Sequence, residues 1–367
     1  MEKVSRKRLS TSNLLLPLFH FSTFLLLAGA ASAGQLARPA TIAFDTSAAV
    51  DQTQVLNGGH SSGVLLDAVL SVGFGDSFEG IIRPFVQRLP SGEWNKQIWV
   101  AAVRYQRPGP IGLRVDAGLI PSPVGLANMM LRPQLNPTVS LPASLFQALP
   151  PTASGSPRLT LLGAVYAYGA NATVSGTHWD ARAAVIDTSP LRTRRIFAQA
   201  NPPRFDNVVV GGGVTPRPGL RVGASVTRGG WQRAAENPTV TQDRNATIIT
   251  VESEWSFGYT KLLGEWVRDT LDTASGDTVA SGWFVQGQQT ITPRWFAAGR
   301  IERIAAPALT PLSTIENQHL NGVEDTIGFR LTPELTLRAD HRARRGFGRP
   351  GFDHQIAVSA VWWKRWL

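Results

Sequence analysis

The chain closes on "GFDHQIAVSAVWWKRWL", Gly351 to Leu367. Between His354 and Trp363 the side chains of Ile356, Val358, Ala360 and Trp362 share one parity, and Gln355, Ala357, Ser359 and Val361 share the other. A strand shows successive side chains to opposite faces. This segment therefore has one apolar, aromatic face and one smaller, more polar face. Four bulky residues so close to a terminus need an apolar solvent, and a strand with hydrocarbon outside and water inside supplies one. On that reading the even face meets lipid.

The same alternation recurs upstream. Leu113, Val115, Ala117 and Leu119 oppose Arg114, Asp116 and Gly118, and Leu220, Val222, Ala224 and Val226 oppose Arg221, Gly223, Ser225 and Thr227. Ile249, Val251 and Trp255 oppose Thr250, Glu252 and Glu254, and Leu335, Leu337 and Ala339 oppose Thr336, Arg338, Asp340 and Arg342. Charge at alternate positions of so many strands would ruin a sandwich core, whereas it suits a barrel with a wet lumen. Closure also removes the unpaired edge that hydrocarbon does not tolerate.

Tight turns near 76, 109, 176, 216, 258, 293 and 333 each join two alternating segments, and longer polar connections such as "DTLDTASGDT" and "AAPALTPLSTIENQHLN" lie between them. Seven pairs, the closing strand 354–363 and a weak first strand at 41–49 predict an all-β, antiparallel, up-and-down transmembrane barrel of sixteen strands, with fourteen as the alternative count. The short turns are expected at the periplasmic side and the long loops outside. Trp179, Trp255, Phe257, Tyr259, Trp295, Phe296, Trp362 and Trp366 cluster near the short-turn ends, and Trp99, Trp266 and Trp283 toward the other, as two aromatic belts would.

The N-terminus reads as a secretory signal: Lys3, Arg6, Lys7 and Arg8, an apolar run from Leu14 to Ala30, then Ala31-Ser32-Ala33. The expected organisation is a signal peptide at 1–33, a short segment at 34–40 and one barrel at 41–367. No cysteine is present, which excludes a disulfide framework and a thiol nucleophile. The formal charge is +10, and the leader accounts for a net +3 of it. Nucleic acid is an unsuitable partner for an exported chain; anionic lipid or anionic solute fits the basic balance better.

One connection is far longer than the rest: "PSPVGLANMMLRPQLNPTVSLPASLFQALPPTASGSPR", Pro121 to Arg158, with eight prolines and two charges, Arg132 and Arg158. Its many leucines argue against disorder and need a surface to cover. The wall offers Ile120, Leu263 and Phe284 as inward apolar partners. At this point the chain resembles the outer-membrane porins of Gram-negative bacteria, whose third loop folds into the barrel. The resemblance covers the signal, hairpin order, loop asymmetry and terminal strand. "RVDAGLIPSPVGL" (114–126) is also similar to the Arg-x-x-x-Gly-x-x-x-(Ser/Thr)-Pro-x-Gly segment of some porins. One departure is the last residue, Leu367, where such barrels often end on an aromatic. The resemblance implies a passive channel without cofactor, lodged in outer-membrane lipid, passing small hydrophilic solutes, built by the barrel-assembly machinery and assembled as a homo-trimer.

The loop's central residues Arg132, Asn128, Gln134 and Asn136 are the expected constriction, with Arg132 as one unpaired cation. Parity assigns Arg114, Asp116, Arg182, Arg221, Glu252 and Glu254 to the lumen wall, and likewise Arg300, Glu302, Arg330, Arg338, Asp340 and Arg342. Same-face pairs such as Arg114/Asp116 and Arg300/Glu302 favour salt-bridge ladders that stiffen the wall. Surplus arginines in the loops point to anions. There is no His-Glu-x-x-His, no Gly-x-Ser-x-Gly elbow and no phosphate-cradling Gly-Lys-Ser/Thr. Two other readings stay open: a closed structural or adhesive barrel plugged by 121–158, and an outer-membrane hydrolase.

Overall fold

The computed structural model describes residues 41–56, 58–88, 92–151, 158–163, 166–192, 204–236, 240–274, 276–309 and 315–367; the expected signal peptide lies outside them. Sixteen strands close into one antiparallel barrel in which each strand pairs with its sequence neighbours and the first pairs with the last. They are β1 (Thr41–Val55), β2 (His60–Phe74), β3 (Phe78–Arg88), β4 (Trp94–Arg107), β5 (Gly112–Pro121) and β6 (Tyr166–Ser175). Next come β7 (Trp179–Ile186), β8 (Asn207–Arg217), β9 (Leu220–Gln232), β10 (Arg244–Phe257) and β11 (Thr260–Thr273). The last five are β12 (Gly276–Thr290), β13 (Trp295–Leu309), β14 (Ile315–Arg330), β15 (Leu335–Arg345) and β16 (Asp353–Arg365).

The seven expected turns join β2–β3, β4–β5 and so on at one end of the barrel. The strands extend further toward the other end than expected. β1 runs to Val55 rather than stopping near 49, and β11 and β12 stay paired up to Thr273 and Gly276 inside the supposed connection "DTLDTASGDT". In "AAPALTPLSTIENQHLN", pairing likewise continues to Leu309 and resumes at Ile315. Polar composition there marks strands that rise beyond the apolar band, not loops: backbone pairing continues wherever both neighbours continue.

The outer face is the apolar one. Val222 and Val226 on β9, Ile249 and Val251 on β10, and Ile356 and Val358 on β16 are all exposed, a band suited to hydrocarbon. Trp266 and Trp283 are register partners on β11 and β12, both exposed on the outer face. Two aromatics depart from the belts. Phe296 is buried, points inward and takes the space where its partner Gly328 has no side chain. Trp99 lies at a register shift where Arg83 pairs Val100 and Pro84 pairs Ile98. The extra residue re-aims its ring, and Trp99 stacks between Phe85 (3.5 Å) and Tyr166 (4.9 Å).

Candidate functional site

Residues 121–151 lie inside the barrel. Val124, Leu126, Met130, Leu131 and Leu145 are almost fully buried, and they pack in one cluster with inward Ile120, Leu263 and Phe284. Burying each such side chain stabilises the loop by about 1.5–3 kcal/mol. A 3₁₀ turn (Ala127–Leu131) and one α-helical turn (Ala143–Phe146) are its regular pieces. The return limb joins the next loop: Thr160 and Gly163 donate N–H bonds to the carbonyls of Leu191 and Pro190. Leu161, Leu162 and Leu191 extend the apolar filling between β5 and β12.

A buried, proline-rich segment must still satisfy its backbone, and wall charges do so. The Glu265 carboxylate accepts the N–H groups of Leu126 and Ala127. That of Glu302 accepts Ala143 N–H at 2.8 Å, and that of Glu324 accepts Ser140 N–H at 2.7 Å. Arginines serve the carbonyls. Arg338 donates to Asn136 O (2.8 Å) and Thr138 O (2.6 Å), and Arg300 to Ser140 O (3.0 Å) and Leu141 O (3.2 Å). Arg300 also ion-pairs with Glu324 and, at 3.5 Å, with Glu302. The 114–126 segment earns its glycine here. Gly125 has φ +73°, and a Cβ would lie 2.6 Å from Glu265 Oε2 and 2.8 Å from Leu162. Only glycine gives both the left-handed backbone and the close carboxylate.

Arg132 is not an unpaired cation. Its guanidinium ion-pairs with Asp45 of β1 and lies 3.4 Å from Asp67 of β2, which also holds Arg83 at 2.8 Å. Arg83 in turn donates to Tyr166 Oη (3.1 Å) and lies 4.9 Å from the Trp99 ring. The two arginines and two aspartates balance. Gln134 sits beside Arg132, its amide placed to donate to Ser47 Oγ at 3.2 Å and to accept from Arg132 Nε at 3.1 Å. Asn136 is buried and Asn128 half-buried; their amides bond within the loop, to Ser140 O (2.8 Å) and Val124 O (3.3 Å). These four residues therefore lie on one continuous stretch crossing from β11 toward β1, β2 and β15.

Toward the turn end the wall carries two similar ion clusters. Asp116 accepts from Arg104 (2.6 Å) and Arg114 (2.7 Å), and Arg104 reaches Glu79 at 3.1 Å. Glu252 accepts from Arg221 (2.8 Å) and Arg182 (3.3 Å), and Arg221 holds Asp180 at 2.8 Å. Gly213 leaves room for this: a Cβ there would lie 2.7 Å from Arg221 Nη2. The Arg114 side chain is 49% exposed, so water reaches this part of the lumen. Glu254 faces inward as register partner of Arg221 and Leu263. Arg330 lies at the turn-end rim, donating to Pro293 O and stacking over Phe296. Asp340 is buried and accepts from Thr326, while Arg342 is bound by Gln355.

The sequence reading passed over Asp45, Asp67, Glu79, Arg83 and Arg104. Alternation carried along the full lengths of β1 to β4 places all five inward.

No family model and no curated protein matches the chain. Solved structures do. The chain is similar to OmpF of Salmonella typhi, with a TM-score of 0.59 at 10% identity over 88% of this chain and 97% of that one. The trimer form of OmpT, an outer membrane protein of Vibrio cholerae, gives 0.57 at 9% identity over 89% and 100%. An anion-selective porin from Comamonas acidovorans gives 0.55 at 9% identity over 89% and 99%. At such identities the likeness is one of fold: this barrel has the architecture of the outer-membrane porins.

Proposed function

We propose that the protein is a passive outer-membrane channel for small hydrophilic solutes, with anions favoured, and that the inserted loop is its fixed constriction. The observation that carries this is the division of the lumen. Buried wall charges grip the loop, while the Arg104–Asp116–Arg114 cluster below it stays open to water. On this reading the long-loop end faces outside, the leader at 1–33 is removed, the barrel-assembly machinery inserts the chain and the working unit is a homo-trimer. It requires no cofactor and no enzyme chemistry. Among the described residues His60, His319, His341 and His354 lie on the outer parity of their strands and His178 in a turn, so none enters the lumen.

Purified protein in a planar bilayer should give discrete conductance steps. In the constriction, Arg132→Glu should shift selectivity toward cations, because it removes the partner of Asp45 and adds a carboxylate. Steps with unaltered selectivity would remove Arg132 from the constriction. One observation favours a second reading, a closed barrel: apolar side chains fill the space between β5 and β12 at the loop end. Absence of any conductance would decide for it.

A further inference from the structure

The inner face of β15 carries Arg338, Asp340, Arg342 and Arg344 in succession. Three of the four are committed. Arg338 is spent on the loop carbonyls, Asp340 accepts from Thr326, and Arg344 ion-pairs with Glu302 at 2.8 Å. Arg342 differs. Its Nε and Nη2 both donate to one atom, Gln355 Oε1, and it has no carboxylate partner among the described residues. Gln355 is its register neighbour on β16 and Glu324 its neighbour on β14.

A guanidinium has two edges that can each present a pair of parallel N–H donors. Gln355 occupies the Nε/Nη2 edge and so fixes the plane of the group. Nη1 has no hydrogen-bond partner among the described residues, and Nη2 has none besides Gln355. The surrounding charges are Arg344, Glu324, Asp340 and Arg300. Of these Glu324 is taken by Arg300 and Ser140, and Asp340 by Thr326. Arg300, Arg338, Arg342 and Arg344 stand against Glu302, Glu324, Asp340 and, beside Arg338 and Ser359, Asp51, so the group balances and Arg342 is singled out by its geometry rather than by net charge. Arg342 also lies four residues beyond Arg338 toward the loop end, so a solute entering there meets it before the inserted loop's Asn136 and Thr138.

We infer that Arg342, positioned by Gln355, is a binding subsite for the carboxylate of a passing solute on the entry side of the loop. A planar carboxylate accepts two parallel N–H bonds from the Nη1/Nη2 edge, which a spherical anion such as chloride cannot do. Arg344, two residues on along the same face, is already held by Glu302, so the site takes one carboxylate group and either end of a short dicarboxylate can fill it. This assignment rests on the channel reading for its transport role, but not for binding.

The test uses succinate with the full barrel. In bilayers, succinate should block the chloride current of the unaltered protein, and Arg342→Lys should raise the half-blocking concentration by about 10-fold, as losing one charge-assisted hydrogen bond implies. Lysine keeps the charge and lacks the fork. Block retained in Arg342→Lys would overturn the fork, and block retained in Arg342→Gln would overturn the site. Gln355→Leu should weaken block as well, by freeing the guanidinium to rotate. Arg349→Gln, at the exposed mouth, is the control that should leave block as it was. If no current is seen at all, the channel reading fails. Calorimetric titration of succinate into detergent-purified barrel then decides the site alone: heat present in the unaltered protein and absent in Arg342→Gln supports it, and no heat in either overturns it.

Discussion

Two regions at the same end of the barrel use one chemical device in opposite surroundings. At the mouth, Arg204 pairs with Asp243 at 2.6 Å, Asp243 accepts Ala234 N–H at 3.0 Å, and Arg233 donates to the carbonyls of Asp187 and Arg204 at 3.0 Å. Inside, Arg300, Arg338, Glu265, Glu302 and Glu324 do the same for residues 126–143. Carboxylates take N–H groups and guanidiniums take carbonyls in both. The Arg204 and Asp243 side chains are 57% and 39% exposed, whereas those of Arg300 and Glu324 are 1% and 2%. Water can replace either partner of the Arg204–Asp243 pair at the mouth and neither partner of the Arg300–Glu324 pair inside. An exposed pair is worth about 0–1 kcal/mol, whereas breaking a buried one leaves a stranded charge at about 3–5 kcal/mol. The inner loop is thus held in one place, and the outer one is only decorated.

The comparison is sharpest under deletion. Removing residues 126–148 should raise single-channel conductance severalfold, while removing 235–242 at the mouth should leave it within the scatter of single-channel recordings. Equal changes would mean that the mouth, not the inserted segment, sets the resistance. A smaller step is Arg300→Leu, which strands Glu324 and should cost about 3–5 kcal/mol of loop anchoring, read as new protease cuts within 126–148 and noisy current. Arg300→Leu with Glu324→Leu should be quieter than Arg300→Leu alone, because no buried charge is left over. Arg204→Leu should leave both the cleavage pattern and the current trace unaltered.

The smallest effect concerns pH. The Ala234 N–H and then Arg204 hold the Asp243 carboxyl below the usual carboxylate range. A depressed folded value stabilises the mouth above the unfolded carboxylate pKa of about 3.9, and that stability is lost as pH falls through the folded value. Because the pair is solvated, Asp243→Asn should shift the melting transition by less than about 1 kcal/mol at neutral pH and salt should erase the difference. A larger, salt-resistant loss would mean that the mouth is anchored as firmly as the lumen.

Much of the wall could be read from the chain. Alternation such as Leu220–Thr227 and turns such as Thr292-Pro293-Arg294 set sixteen strands and their faces, and the leucines of 121–158 pointed to the inward course that residues 121–151 take. What fixes it there was hidden for a physical reason. Glu265 and Arg338 bind backbone groups, and a backbone N–H has no letter in the sequence. Arg132 looked alone because its partners Asp45 and Asp67 belong to β1 and β2, whose weak polar character masks where they run. Trp99 faces inward through one inserted residue, and a bulge changes parity without changing composition.

The seam between β1 and β16 has a kinetic meaning. Trp366 donates its backbone N–H to Phe44 O at 2.8 Å and its indole N–H to Thr46 Oγ1 at 2.8 Å, the latter a bond spanning 320 residues of chain. Every other strand pair joins sequence neighbours, so hairpins can assemble locally, and only this contact must wait for the two termini to meet. Contacts of such separation are slow to form because the whole intervening loop must close first. The indole of Trp366 is therefore a reporter of the last step of assembly, a clock on closure rather than on strand formation.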